Sequence, residues 1–340
     1  MENIAPALLD WFYANRRILP FREDPTPYHV WLSEIMLQQT RVSAALPYYE
    51  RFLAALPDIP ALAGCEEEKL HKLWEGLGYY SRVRNLQKAA KIVCAQYGGQ
   101  LPGDYNALLA IASISFGLPV PAVDGNVLRV FARLYNDPRL VTDPQVKREF
   151  TARVMEHQPP AKAGDYNQAL MELGALVCLP NGAPLCEQCP LGTLCRARAA
   201  GTALSLPQKT PPKARRITPV TVALVLNEGR VLLQQRPAKG LLAGLWQPVL
   251  WEDTTLTAAE TAARLAALGL DCTGAHFTPL PAAKHIFTHI EWHQSGYFLT
   301  VPEQPAPAGC VWAGKEQLEA AYTLPGAFKV YKKLLLTKLL

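Results

Sequence analysis

A basic, proline-rich segment separates two parts of the chain that differ in hydrophobic periodicity. Residues 201–218 hold four Lys and Arg and no acidic residue, whereas residues 1–200 hold 20 basic and 20 acidic residues and residues 219–340 hold 10 and 9. The net charge of +5 is therefore concentrated in this segment, whose composition is typical of a linker. The chain's 340 residues and 49% hydrophobic content suffice for two buried cores. We predict domains at residues 1–200 and 219–340, joined by a linker at 201–218.

Before the linker, apolar residues recur at helical spacing. The pattern predicts helices within residues 1–22 and at 28–42, 48–56, 66–74, 81–97, 105–116, 125–135, 143–157 and 164–177. Asp104 and Asp124 each precede an apolar run, where an aspartate can cap a helix. The first domain is therefore predicted to be all-α apart from a cysteine-containing loop.

After the linker, the spacing of apolar residues changes from that of helices to a mixture of strand and helix patterns. Residues 220–226 and 230–235 are rich in β-branched residues and are joined by Asn227-Glu228-Gly229, which indicates a hairpin. Residues 257–268 are rich in Ala and Leu and are predicted to be helical. Residues 284–299 alternate and carry aromatic and β-branched residues, which predicts strands. The second domain is predicted to be α+β.

The chain contains no run of 18 apolar residues, and its first residues lack the pattern of a signal peptide. We therefore expect a soluble cytoplasmic protein that does not enter a membrane.

One carboxylate lies among apolar side chains in the predicted helix at residues 28–42. At about 100° per residue, Glu34 falls in an arc with Val30 and Trp31. Gln38 and Arg41 are its polar neighbours in that helix. Apolar surroundings would raise the pKa of Glu34, so that it could donate a proton near neutral pH. The alternative is that Glu34 pairs with Arg41 or reaches solvent.

Four of the eight cysteines lie close together in sequence, at Cys178, Cys186, Cys189 and Cys195. In a reducing compartment this spacing indicates a metal site rather than disulfides. Structural zinc and a 4Fe-4S cluster both take four cysteines. Zinc ribbons more often show two C-x2-C pairs, and only one occurs here, which favours the iron–sulfur cluster.

Several long motifs resemble those of MutY-type adenine DNA glycosylases, which belong to the helix-hairpin-helix, iron–sulfur glycosylase superfamily. They are Val30–Thr40 (VWLSEIMLQQT), Trp74–Leu86 (WEGLGYYSRVRNL), Val123–Val127 (VDGNV), Asn167–Gly174 (NQALMELG) and the cysteine loop. The resemblance implies a helical glycosylase domain with a 4Fe-4S cluster and a Nudix-like C-terminal domain. It implies removal of adenine mispaired with 8-oxoguanine or guanine in double-stranded DNA, by a monomer that associates with the nucleoid.

The resemblance also implies roles for individual residues. Glu34 is similar to the acid that protonates adenine, and Asp124 to the carboxylate beside the sugar. This pairing suits N-glycosidic cleavage, in which the base leaves protonated and the sugar becomes positively charged. Considered alone, Asp124 is better explained as a plain helix cap, but the following Gly125-Asn126 and the resemblance reverse that preference.

A base inside the duplex must leave the stack before it can be reached, so residues that fill the gap are expected. Gln39 and Tyr79 match family positions that wedge into DNA. Thr40 and Asn126 lie in the same motifs and are expected to contact DNA or substrate.

One family element is absent from the sequence. Family members carry a helix-hairpin-helix near residue 110, and here Leu108-Leu109-Ala110 runs directly into Ile111-Ala112-Ser113, so that about eleven residues of the pattern are lacking. Such a hairpin offers backbone N–H groups to a phosphate. We predict a single helix from Asp104 to Phe116 and impaired DNA binding.

The C-terminal domain resembles the Nudix-like domain of the family. A Nudix hydrolase needs a glutamate-rich helix for Mg²⁺, and residues 257–268 hold a single acid, Glu260, so recognition is expected rather than pyrophosphate hydrolysis. Phe287, Thr288 and His289 resemble the loop that inspects 8-oxoguanine. A metal site of His285, His289 and His293 is disfavoured, because strand residues four apart lie about 13 Å from one another.

Two other functions are compatible with parts of the sequence. A glycosylase with lyase activity, similar to endonuclease III, would need a lysine nucleophile, and no lysine occurs between Lys91 and Lys147. A non-catalytic lesion-binding protein would fit the missing hairpin, but the retained Glu34 and Asp124 argue against it.

Overall fold

The computed structural model describes residues 2–101, 109–211 and 214–339. The chain forms two compact units, Met1–Gln39 with Ile92–Pro212 and Thr40–Lys91 with Lys213–Leu340. The helical half of the chain thus contributes to both units, and the helix at Ser81–Tyr97 runs from one into the other.

The first unit is helical. Its helices are α1 (Ala5–Asn15), α2 (Pro20–Glu23), α3 (Pro27–Leu37), α8 (Leu109–Ile114), α9 (Gly125–Tyr135), α10 (Pro144–His157), α11 (Ala163–Leu176) and α12 (Arg196–Ala199), with 3-10 turns at Pro160–Lys162, Cys186–Gln188 and Ala203–Ser205. Its core is formed by apolar faces of α1, α9, α10 and α11, including Phe12, Phe131, Phe150, Tyr166 and Leu170. Burial of these large side chains stabilises the unit by roughly 1.5–3 kcal/mol per residue.

The second unit joins helices to a mixed sheet. Its elements are α4 (Val42–Ala55), α5 (Ile59–Gly64), α6 (Glu67–Trp74), most of α7 (Ser81–Tyr97), β1 (Arg216–Asn227), β2 (Arg230–Gln235), β3 (Trp246–Glu252), α13 (Ala258–Ala267), β4 (Thr278–Pro279), β5 (Ala283–Ile286), β6 (Ile290–Thr300), β7 (Cys310–Ala313), α14 (Lys315–Ala320), a 3-10 turn at Gly326–Phe328 and α15 (Lys329–Lys338). The strands lie in the order β4-β6-β1-β3-β2-β7, and β5 pairs with β6. Strand β1 is parallel to β6 and antiparallel to β3 and β2.

Alternate side chains of β1 point to opposite faces of the sheet, and both faces are buried because each packs against a helix. Val222 and its alternate neighbours pack with Tyr331 of α15, whereas Val225 and its neighbours pack with Leu265 of α13. Gly296 of β6 is paired with Val222, and a Cβ at Gly296 would lie 1.8 Å from the Val222 carbonyl oxygen. Its φ of +149° also favours glycine, so a larger residue there would separate the two parallel strands.

Several sequence predictions are confirmed. The Asp124 side chain caps α9 by accepting hydrogen bonds from Asn126 N and Val127 N. The β1–β2 hairpin turns at Glu228 and Gly229, both of which have positive φ. Helix α13 is capped by Thr257 and lies within the predicted range.

Among the described residues, no helix is long and apolar enough to cross a bilayer.

Other predictions need correction. Helix α3 ends at Leu37, so Gln38 and Arg41 are not its members, and Arg41 instead precedes α4. The strands predicted within 284–299 are present as the antiparallel pair β5 and β6, but the pattern did not locate the turn at 287–289 between them. Their alternation continues through the turn, which contains neither Gly nor Pro to mark it.

The predicted helix from Asp104 lies partly outside the described residues, which resume at Leu109. Helix α8 ends at Ile114, two residues before the predicted end at Phe116. Within the predicted linker, Gln208 bridges to Leu140 and β1 already begins at Arg216. Both ends of that segment are therefore ordered against neighbouring structure.

Candidate active site and DNA-contacting surface

Glu34 lies in the last turns of α3, beside the buried side chains of Val30 and Trp31. Burial raises the pKa of Glu34 to about 7, and the negative charge of Asp124 adds to this shift, while Arg22 opposes it. The residue as a whole is half-buried. At neutral pH about half of the Glu34 side chains would be protonated, as general acid catalysis requires.

Asp124 precedes α9 and is exposed. Its Oδ1 accepts hydrogen bonds from Asn126 N at 2.8 Å and Val127 N at 2.9 Å, and its Oδ2 accepts one from Asn126 Nδ2 at 2.7 Å. The Asn126 side chain is held in turn by Arg129, whose Nη2 donates to Oδ1 at 2.9 Å. Asp124 is therefore both a helix cap and a fixed negative charge close enough to influence Glu34.

The backbone before Asp124 is anchored by Asn167 of α11, which is fully buried. Its Nδ2 donates to Ser113 Oγ at 2.9 Å and to the Val120 carbonyl at 2.8 Å. Its Oδ1 accepts from Ala122 N at 3.2 Å. These hydrogen bonds tie α8 and the segment that leads to Asp124 to α11.

A buried ion cluster lies beside this pair, and the sequence reasoning missed it. The Glu172 side chain, 1% exposed, binds Arg17 Nε at 2.7 Å and Arg22 Nη2 at 2.8 Å. Burial alone would raise the pKa of Glu172, but hydrogen bonds from Arg17 and Arg22 outweigh it and lower the pKa to about 2. Glu172 therefore pairs with Arg22, the cation that opposes the raised pKa of Glu34. The only sequence signal was an acid within the apolar stretch of α11.

We expect Glu172→Gln to destabilise the protein by about 3–5 kcal/mol at pH 7, because two guanidinium groups lose a buried counterion. Because the folded pKa of Glu172 is depressed, its contribution is present above pH ~4.5 and is lost as pH falls towards 2. Urea unfolding of this variant, beside the exposed-site control Glu156→Gln, measures the effect. A difference below about 1 kcal/mol at pH 7 would contradict the assigned cluster.

The proposed DNA wedges both have left-handed backbones. Gln39 follows α3 with φ +59°, and Tyr79 lies between α6 and α7 with φ +50°. Tyr79 is 50% exposed, and Arg82 stacks over its ring at 5.4 Å. Arg82 Nη2 also donates to Thr40 Oγ1 at 3.4 Å. Left-handed non-glycine residues cost energy and cluster at functional sites, so this geometry is a reason to expect function at both positions.

Comparison with known proteins identifies the family. Residues 32–156 match the family described as HhH-GPD superfamily base excision DNA repair protein, and residues 221–334 match the NUDIX domain. Over 96% of its length the chain is 33% identical to an adenine DNA glycosylase of Homo sapiens, of which it covers 73%. It is 34% identical over the same share to that of Mus musculus, of which it covers 76%. The chain belongs to the adenine DNA glycosylase family.

The glycosylase is therefore a hydrolase of N-glycosyl bonds that acts on DNA in base excision repair. A thermostable thymine-DNA glycosylase has a similar fold, with a TM-score of 0.51 and 22% identity over 57% of this chain and 94% of that one. Together with the two family matches, this likeness confirms the predicted combination of an all-α glycosylase domain with an α+β Nudix-like domain.

In the C-terminal part of the glycosylase, the β5–β6 turn presents two polar side chains. Thr288 and His289 are exposed at the tip, while Phe287 is half-buried with its ring 5.0 Å from Trp292. Arg215 Nε donates to the Phe287 carbonyl at 3.1 Å. The turn thus anchors Phe287 and leaves a hydroxyl and an imidazole free to meet a ligand.

The three histidines of this hairpin are separated for a different reason than the sequence suggested. His293 is paired with Lys284 across the hairpin, so its side chain points to the face opposite that of His285. Glu260 is likewise occupied, because its Oε2 accepts from Thr257 N at 2.8 Å in a capping box. Among the described residues, no three His, Cys, Asp or Glu side chains are arranged to share one metal ion.

The four clustered cysteines line one cavity of about 30 Å³ in the first unit. Burial raises the pKa of the Cys189 thiol to about 11, against a hydrogen bond from Leu191 N. Arg133 Nη1 donates to Cys178 Sγ at 3.2 Å. A Cβ on Gly192, which also lines the cavity, would lie 3.1 Å from the Cys189 carbonyl oxygen. Four thiols that line one cavity beside an N–H donor are the donor set of a thiolate-bound metal group, so the residue types fit a cluster.

Proposed function

We propose that the glycosylase removes adenine paired with 8-oxoguanine in double-stranded DNA. The observation that carries this proposal is the pairing of two carboxylates in different states, Glu34 with its pKa raised to about 7 and the exposed, hydrogen-bonded Asp124. Such a division lets one group act as an acid while the other remains a charge.

In this mechanism, protonated Glu34 donates its proton to a ring nitrogen of the flipped adenine. The bond between C1′ and the base then breaks with its electron pair passing to the base, and the sugar acquires oxocarbenium character. Asp124 stabilises that positive charge. Water adds to C1′ and releases a proton, which restores Glu34 and leaves an abasic site. The sequence offers no lysine between Lys91 and Lys147, so we propose a monofunctional enzyme.

Gln39, Thr40, Tyr79 and Asn126 are proposed to hold the opened duplex. Exposure and left-handed backbone at Gln39 and Tyr79 support this assignment. Thr288 and His289 are proposed to inspect the base opposite adenine, since both stand exposed at the tip of a hairpin anchored by Phe287.

Cys178, Cys186, Cys189 and Cys195 are proposed to hold a 4Fe-4S cluster, whose iron–thiolate bonds would fix the loop. Each thiolate of such a cluster can bind a different iron, whereas all four ligands of zinc must lie near 2.3 Å from one ion. The single C-x2-C pair, Cys186 and Cys189, favours the cluster over zinc. Iron and acid-labile sulfide in the purified protein, without stoichiometric zinc, are the expected analysis.

Excision of adenine opposite 8-oxoguanine and opposite guanine, at single turnover, tests the proposed specificity. We expect faster excision opposite 8-oxoguanine, and we expect Thr288→Ala with His289→Ala to reduce that preference without changing the rate opposite guanine. Thr300→Ala, exposed on the same hairpin, is the control. Equal rates opposite both bases would refute the specificity, and lesion binding without adenine release would favour the non-catalytic alternative.

The missing helix-hairpin-helix pattern is proposed to weaken DNA binding. Part of the relevant stretch lies outside the described residues, so this proposal rests on the sequence. Inserting a hairpin of about eleven residues after Ala110 should tighten binding to an 8-oxoguanine:adenine duplex, because backbone N–H groups then contact a phosphate. Unchanged affinity in a gel-shift titration would sink this proposal.

A further inference from the structure

The short loop that carries Tyr79 connects α6, which ends at Trp74, to α7, which begins at Ser81. Gly76, Gly78 and Tyr79 all have positive φ, at +106°, +71° and +50°. Trp74 Nε1 donates to the Gly78 carbonyl at 3.0 Å. A non-glycine residue persists in a left-handed conformation only when its surroundings hold it there. The contacts at the two ends of this loop therefore determine the conformation of Tyr79.

The first flank is held by the C-terminal helix α15. Glu75, which directly follows α6, binds Lys332 Nζ at 2.6 Å through Oε1 and Lys72 Nζ at 2.7 Å through Oε2. All three side chains are largely buried, with the Glu75 side chain 16% exposed. Lys72 Nζ also donates to the Leu318 carbonyl of α14 at 2.8 Å. These contacts join the end of α6 to two C-terminal helices.

The second flank is held by the turn between β2 and β3. Arg84, in the first turn of α7, donates from Nη1 to the Ala243 carbonyl at 2.6 Å. Ala243 is 4% exposed, and the neighbouring Gly244 has a φ of +70° that shapes the turn. Charge-assisted bonds such as these are about twice as strong as neutral ones.

We propose that the Nudix-like domain positions the Tyr79 loop, with Lys332 and the Ala243 carbonyl fixing its two flanks at Glu75 and Arg84. Lys332 and Arg84 are then positioning residues that act through Tyr79. The part of the chain that carries the 8-oxoguanine-inspecting turn also sets the conformation of the wedge loop. The consequence for DNA rests on the proposed function of Tyr79, whereas the positioning itself does not.

Hydrogen–deuterium exchange on the full DNA-free protein tests the positioning. We expect Lys332→Met and Arg84→Met to raise amide exchange at residues 76–80 by roughly three- to tenfold, because each removes one anchor. Lys333→Met, an exposed neighbour on α15, should leave exchange unchanged, and Lys332→Arg should restore parental exchange. Unchanged exchange in the loop, or an equal rise throughout α6 and α7, would overturn the proposal.

Affinity for an 8-oxoguanine:adenine duplex then tests the consequence through a double-mutant cycle. We expect Lys332→Met and Tyr79→Ala each to weaken binding, and Lys332→Met to add nothing in the Tyr79→Ala background. Fully additive losses of duplex affinity would overturn the proposal that Lys332 acts through Tyr79. If Tyr79→Ala alone has no effect, the proposed wedge role fails, while a loop-specific exchange result still supports positioning.

Discussion

Glu34→Gln is expected to lower the single-turnover rate of adenine release by about 10²–10⁴-fold, the usual contribution of a positioned acid. Glutamine preserves the size of the side chain but has no proton to transfer. Because the protein raises the pKa of Glu34, ionised Glu34 is less stable in the folded than in the unfolded protein. The same variant should therefore unfold at an equal or higher urea concentration than the parent at pH 8.

Glu23→Gln is the matched control, since Glu23 is an exposed glutamate in α2 of the same unit. It should leave both rate and stability unchanged. Retention of more than about a tenth of the parental rate by Glu34→Gln would remove Glu34 from the role of acid.

The second large effect is expected at Asp124. Asparagine keeps the Oδ1 acceptor that caps α9 but loses the charge beside the sugar. We expect Asp124→Asn to reduce the rate of adenine release by about 10²–10³-fold while changing the free energy of unfolding by less than about 1 kcal/mol. Removal of the repulsive charge should also lower the pKa of Glu34, so the loss of residual activity should begin at a lower pH.

Asp143→Asn is the control that distinguishes the loss of a helix cap from the loss of a catalytic charge. Asp143 caps α10 through Gln145 N at 2.7 Å, as Asp124 caps α9, and has no part in the proposed reaction. Asp143→Asn should change the free energy of unfolding as little as Asp124→Asn does, and it should leave the rate of adenine release unchanged. Equal rates for the two variants would reduce Asp124 to a helix cap.

Helix caps, turns and helices that depend on residues close together in the chain were predicted from the sequence. The cap at Asp124, the hairpin at Glu228-Gly229 and the helix after Thr257 each follow from residue types at fixed spacing, and each is present. The raised pKa of Glu34 followed from the apolar neighbours Val30 and Trp31, which are buried as expected.

Several features that the sequence did not predict depend on contacts between residues far apart in the chain. Glu172 meets Arg17 and Arg22 across about 150 residues, and no periodicity encodes such an encounter. The end of α3 at Leu37 was missed because Gln39, rather than a glycine, takes the left-handed conformation. Nor does helical periodicity show that residues 40–91 form a compact unit with the C-terminal sheet.

The pH dependence of adenine release by the unmodified glycosylase tests the central assignment most directly. Single-turnover rates on a duplex with adenine opposite 8-oxoguanine should be highest below pH 7 and fall as pH rises through about 7, where Glu34 loses its proton. In Asp124→Asn the remaining activity should fall at a lower pH. A parental rate that stays constant from about pH 6 to 8.5, or no adenine release at any pH, would contradict the account.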